Sequence, residues 1–372
     1  MFVYRFSLFL AASSMLTPVF AMDDIFPPQA ADGWGTYARI NLWEASDFLP
    51  TRKIEGDWNQ DFSPKAGQNT SLRSYRAELG LTYKEWQLNM EARQEGVLQA
   101  TASTLAFVKA YKQGEGGRPQ EPVSYQLNAQ MKSWSGFGLR IGRWFATGDA
   151  FQPRFFASAV YYTQPQYRSA QATGNASYSD NQHYSFSASE IDTNSRYQYL
   201  FRQFEPEARG YSSSIAMDWK INANWRMQYK MDDVFNHFQW QHLPELQQSL
   251  NSAVVQYDSH GYLNYQPLLQ GANRQADQSI SVPMTHAAQL SYQWQQWELN
   301  TQIRRFYGEF LPSLGVAKYT SYGRFDVNFD TRYKSLGLGW SNASFGMQLQ
   351  SDNVNLGRAK VLGLGLHFNK QF

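Results

Sequence analysis

Along most of this chain apolar side chains recur at every second position, and that spacing limits the fold more than any other feature. In 34–43, Trp34, Thr36, Ala38, Ile40 and Leu42 share one parity, while Gly35, Tyr37, Arg39 and Asn41 share the other. Tyr75, Ala77, Leu79, Leu81 and Tyr83 alternate with Arg76, Glu78 and Thr82; Trp86, Leu88, Met90 and Ala92 alternate with Gln87, Asn89, Glu91 and Arg93. A period of two is that of a β-strand with distinct faces. Apart from Tyr37 and Thr82 the second face is charged, amide or glycine, so it cannot pack against another sheet as a core. Strands with an apolar side and a wet, small-residue side suit a closed antiparallel barrel, where lipid touches one face and enclosed water the other.

The last forty residues repeat the pattern. Leu336, Leu338 and Trp340 are followed by Phe345, Met347 and Leu349, and a polar loop at 351–357 turns the chain. The final run places Leu362, Leu364, Leu366, Phe368 and the terminal Phe372 on one parity. This ending resembles the last strand of bacterial outer-membrane β-barrel proteins, which their assembly machinery recognises; Leu364, Leu366, Phe368 and Phe372 match, while Lys370 stands where an aromatic residue is usual. The resemblance implies an all-β transmembrane barrel, porin-like in kind, with outer-membrane lipid and the barrel-assembly machinery as partners.

No stretch beyond the N-terminus approaches the roughly 20 apolar residues of a spanning helix, so a membrane reading requires strands. Residues 1–21 read as a cleavable secretory signal, with Arg5 before an apolar run and Val19-Phe20-Ala21 at its end. Residues 22–33 follow as a periplasmic lead-in, and 34–372 as the barrel. The chain has no cysteine, which excludes a disulfide framework. With 33 basic and 31 acidic residues it lacks the bias of a nucleic-acid binder. No cofactor is implied.

Tight turns are bracketed by aromatics: Tyr83 with Trp86, Trp219 with Trp225, Trp294 with Trp297, and Trp340 with Phe345, with Trp134 beside another. Short turns at an aromatic girdle, with long polar loops between them, predict periplasmic turns and extracellular loops. The count is about 14 strands, with 12–16 admitted by the doubtful segments. Thr101–Lys112 reads equally as a strand or an inward loop. The aromatic stretch 148–195 reads as a hairpin pairing Phe155–Thr163 with Arg196–Phe204, or as a loop in the lumen. Residues 233–283 read as irregular, with a helical turn or two at Pro244–Asn251. Residues 308–319 read as a loop, and Lys318–Phe329 as a further strand.

Charge falls on the wet parity of nearly every strand: Arg39, Arg76, Glu78, Glu91, Arg93, Arg140, Arg226, Lys230, Asp232, Glu298 and Arg304. An Arg or Lys at bilayer midplane costs about 2–4 kcal/mol on the lipid side, so these point inward. They form a pore wall choosing small polar or saccharide solutes, or an ion-paired ladder filling the barrel without an open pore. Loop aromatics Phe151, Phe155, Tyr161, Tyr162 and Tyr167 offer sugar stacking or simple packing. For catalysis the one candidate is Gln182-His183-Tyr184-Ser185, which loosely resembles the His-x-Ser of the outer-membrane phospholipase family. Phe186-Ser187-Ala188 replaces the Asn and Gly expected after that Ser. His237 and His242, five apart, face opposite sides of a strand and suit no shared metal.

Overall fold

The computed structural model describes residues 33–114, 119–145, 151–179, 184–197, 204–252, 255–257, 263–265 and 268–372, with 57 and 59 left aside. The expected signal and nearly all of the lead-in lie outside the described residues. The first half of the chain forms β1 (Trp34–Ser46), β2 (Gln68–Tyr83), β3 (Trp86–Thr101), helix α1 (Ala102–Lys112), β4 (Val123–Phe145), β5 (Arg154–Tyr178), β6 (Tyr184–Asn194), β7 (Glu207–Lys220) and β8 (Trp225–Asn251). The second half forms a small hairpin, β9 (Val255–Tyr257) with β10 (Leu263–Tyr265), then β11 (Leu269–Ile280), β12 (Thr285–Trp294) and β13 (Trp297–Phe306). After these come β14 (Glu309–Thr320), β15 (Gly323–Asp330), β16 (Ser335–Ser341), β17 (Phe345–Ser351) and β18 (Val361–Gln371).

Fourteen strands close a ring: β1 to β5, then β7, β8, and β12 to β18. The terminal strand seals it, pairing with β1 from Gly35↔Gln371 to Ala45↔Val361. Closure leaves no free edge within the ring, which a lipid environment requires. The long strands β4, β5 and β8 rise above it. There the upper part of β5 pairs with β6, β6 with the end of β8, and β11 with β8.

Every ring strand turns large apolar side chains outward. Leu79 is 61% exposed, Leu139 56%, Leu314 57% and Leu338 52%, and such residues occur all around the barrel. A soluble protein does not leave a belt of this extent in water. Next to the tight turns, Trp34 packs against Tyr83 and Trp225 against Tyr292 in tilted pairs with ring centroids 4.7 and 4.8 Å apart. Trp86, Trp294 and Trp297 are also exposed at this rim. Trp219, half-buried, donates its indole N–H to the Phe151 carbonyl.

Several expectations are corrected. Thr101–Lys112 is neither strand nor lumen loop: Thr101 caps a helix by accepting from the Thr104 amide, and Leu105, Phe107 and Val108 bury one helical face. Phe155–Thr163 belongs to β5 and pairs with β7, not with Arg196–Phe204. The described residues of 233–283 are mostly extended, and Pro244–Asn251 finishes β8. Residues 309–320 are a strand entered through Tyr307-Gly308, whose φ angles of 49° and 87° make a two-residue hairpin turn. Lys318–Phe329 spans the turn between β14 and β15 rather than one strand. The extracellular connections are therefore unequal: at 307–308 and 331–334 the wall is low, while β4, β5 and β8 stand tall. Trp134 is no girdle residue. It sits in mid-strand, buried inside against Tyr162 and Phe238.

Candidate functional site

The interior of β2–β8 is occupied by charge. Glu91 on β3 accepts from Arg76 of β2 at 2.6 Å, from Arg140 of β4 at 2.6 Å, and from the Tyr162 hydroxyl of β5. Arg140 also donates to Ser158 and Ser214. Arg76 reaches Glu78 at 2.8 Å and Asp232 of β8 at 3.2 Å, and Lys230 lies 2.9 Å from the same Asp232. Arg93 makes a two-pronged contact with Asp233 at 2.9 and 2.5 Å, holds Glu95 at 2.7 Å, and packs its guanidinium 4.8 Å from the Trp134 ring. Glu91 is 0% exposed and Asp233 1%. Such burial of charge is tolerated only with partners on several sides.

Asp232 and Asp233 both face this cluster although they are consecutive. Asp233 has φ 62°, and the β7–β8 register slips between Ser212 and Ser214. This bulge turns a side chain that alternation would send to lipid back into the barrel, where the Ser212 hydroxyl also donates to it at 2.6 Å.

A second set of contacts crosses the lumen. Arg304 on β13 donates to the Ser74 hydroxyl of β2 at 3.0 Å. Between those strands lie β14, β15, β16, β17, β18 and β1, so the two are seven steps apart in a ring of fourteen. Fourteen strands about 4.8 Å apart and tilted about 40° enclose a circle on the order of 25 Å across. An arginine and a serine together reach roughly 10 Å. The walls are therefore drawn together at this level. Trp43, Ala45, Leu72, Val97, Phe306, Leu311 and Val361 pack as an apolar cluster beside the bridge. The guanidinium of Arg304 lies 4.5 Å from the Phe306 ring and 5.7 Å from Trp43. A third cluster, Trp134, Val160, Tyr162, Phe238, Trp240, Leu243 and Val282, fills the β4–β8 side.

The remaining charges lie nearer the tight turns. Asp218 holds Arg226 at 2.7 Å and also binds Arg154; Glu298 holds Arg324 at 3.2 Å and accepts from Tyr319 at 2.7 Å. Arg39 is buried above the Tyr37 ring at 5.7 Å. Alternation on its own misses Asp233, because the bulge breaks it; two adjacent aspartates within an apolar-alternating strand are the signal that marks it. Tyr37, Glu95, Ser212 and Ser214 also join the interior.

Of the aromatics expected on loops, Phe155, Tyr161, Tyr162 and Tyr167 are strand residues, and Phe151 stands in the turn before β5. Phe155 and Tyr161 point outward, exposed; Tyr162 is inside, and Tyr167 packs on Trp240. Ser185 is exposed on β6, and His183 lies outside the described residues. His237 contacts Ser279 at 3.1 Å, and among the described residues no group of three His, Asp or Glu could hold a metal ion.

No family model and no curated protein matches the chain. Among solved structures, a mutant of the monoaromatic hydrocarbon channel TodX is 11% identical, covering 92% of this chain and 91% of that one, with a TM-score of 0.46. A Pseudomonas aeruginosa FadL homologue is 9% identical over 91% and 89%, with a TM-score of 0.39. The P. putida toluene transporter TodX is 9% identical over 92% and 91%, with a TM-score of 0.36. Scores below 0.5 at such identities bear on nothing that this chain carries or binds. Its own closure, its continuous outward apolar belt and its polar interior make it a β-barrel of the bacterial outer-membrane kind.

Proposed function

We propose that the chain is a gated outer-membrane channel for small polar solutes and that the conformation described is its closed state. The contact of Arg304 with Ser74 across half the ring carries this reading. It is made by side chains alone, so the walls can part without any strand unpairing. Support for a polar solute comes from the other half of the interior. There Gln289, Ser291, Asn300, Gln302, Asn328 and Gln348 present amides and hydroxyls on the inward parity of β12–β17. A saccharide is a member of that class, but the stacking platform expected from Phe155 and Tyr161 is on the lipid side.

Conductance in planar bilayers tests the proposal. The wild-type protein is expected to stay near baseline, and Arg304→Ala to raise steady conductance severalfold. Full conductance in the wild type would overturn the closed state. Silence in both would favour a barrel that stays shut and acts through its loops and outer surface, a reading that the bridged lumen also suits.

A further inference from the structure

Above the apolar belt, the outward face of β1–β6 is hollowed. Register places Leu42, Tyr75, Gln94, Ser135 and Gln166 in one cross-strand row. One pair higher stand Glu44, Arg73, Gly96, Ser133, Arg168 and Asn194. These positions share parity with the exposed Ile40, Leu79, Met90 and Phe137, so they lie on the lipid side of the wall. At the middle of these rows Gly96, Ser133 and Ser135 are small, and Ala77 and Ala92 continue the small-residue stretch downward. A Cβ on Gly96 would come within 3.2 Å of the Ser133 Cβ. On β5 the Gln164 bulge, with φ 48° and a register slip opposite Ser135, bends the same wall.

Two cavities result. The lower one, of about 490 Å³, is lined by Leu42, Tyr75, Ala77, Ala92 and Phe137 among others. The upper one, of about 180 Å³, is reached by Thr51 and Ile54 of the first loop and by Arg73, Arg168 and Arg196. Against those three arginines the outward parity holds one carboxylate of the lining, Glu44; Lys132 and Glu95 turn their side chains inward, where Arg93 engages Glu95. Arg73 is anchored by Glu44 at 2.7 Å and Arg168 by Asp192 at 3.1 Å. Each guanidinium carries five N–H donors, so an anchored arginine keeps donors for a further anion.

We propose that this trough binds one phospholipid of the surrounding membrane. An acyl chain lies along the lower cavity, and the phosphate sits among Arg73, Arg168 and Arg196. Lipid is the medium already in contact with this face, and the trough joins the apolar belt to a cationic pocket at the height where headgroups begin. The inference needs the barrel to be embedded in a membrane and is independent of gating, so conductance and lipid retention fail separately.

Native mass spectrometry of the detergent-solubilised full chain, titrated with dioleoyl-phosphatidylglycerol, reads the site. Folding of each variant is verified first by heat-modifiable gel mobility. The wild type is expected to retain one phosphatidylglycerol and not diacylglycerol, which lacks the phosphate. The double variant Arg168→Gln/Arg196→Gln, and separately Ala92→Trp, which fills the trough and leaves every charge in place, should each lower occupancy by about tenfold. Equal retention by wild type and both folded variants would overturn the proposal. So would retention of diacylglycerol, or retention of lipid A in preference to phosphatidylglycerol.

Discussion

Asp233 shows how one residue can decide what a barrel encloses. Its left-handed backbone puts a second carboxylate beside Asp232, and Arg93 is bound through both of its terminal nitrogens. Both partners are almost fully buried, so removing one leaves a charge without compensation in the interior. Such losses cost about 3–5 kcal/mol. Asp233→Asn is therefore expected to lower the denaturant midpoint of the folded, heat-modifiable form by a corresponding amount. A change within about 0.5 kcal/mol, the size of an ordinary surface substitution, would mean that the pair is solvated and the lumen wet there. Parity puts Arg76, Glu91, Arg93 and Arg140 on one face of their strands, and that face is where the buried ion pairs form. Parity does not name the partners, because these lie on strands far away in the chain, and Arg304 meets Ser74 across 230 residues.

At the scale of elements, the first extracellular loop is tied down by a carboxylate at its base. Asp47 accepts from Arg332 at 2.9 and 3.1 Å, from Lys65, and from the Thr70 amide at 3.1 Å. Burial by itself would raise its pKa; the Arg332, Lys65 and Thr70 donors outweigh that and hold the carboxyl below the ordinary aspartate value. A depressed folded value means that the tie is fully present above the unfolded value of about 4. It is lost as pH falls through the lower folded value. Loop 47–67 should thus resist protease at neutral pH and become cleavable by an acid-active protease somewhat below pH 4. Asp47→Ala should be cleavable already at neutral pH, and unchanged resistance of the wild type down to pH 2 would contradict the tie. Pro50, Gly56, Pro64 and Gly67 mark this segment as a loop in the sequence, but nothing there marks its anchorage to 331–334. Helix α1 was illegible for another reason: Thr101–Lys112 mixes apolar and polar residues at spacings that fit either period, and the sheet face under Leu105, Phe107 and Val108 decides the matter.

For the whole molecule, the strand count and the closure were legible because lipid imposes period two on every ring strand, and the terminal Phe strand marks where the ring ends. What alternation does not contain is cross-section. Fourteen strands can form a round pore or a flattened one, and the choice lies in side-chain contacts between opposite walls. The uneven rim also escaped, because Tyr307-Gly308 is a hairpin turn on the side where long loops were expected. These two features meet at one contact: the low wall at β13–β14 carries Arg304, which reaches Ser74 of β2 on the wall facing it. The absence of native cysteine makes this arrangement directly measurable. In the double variant Ser74→Cys/Arg304→Cys, a thiol-specific crosslinker too short to span an open fourteen-strand ring should join the two positions in native membranes. The linked product should cleave at an engineered site between them without separating. Efficient crosslinking is the result expected of a bridged lumen; no crosslink with this reagent, and a crosslink only with one long enough to cross roughly 25 Å, would show the barrel to be open and the account of its interior to be wrong.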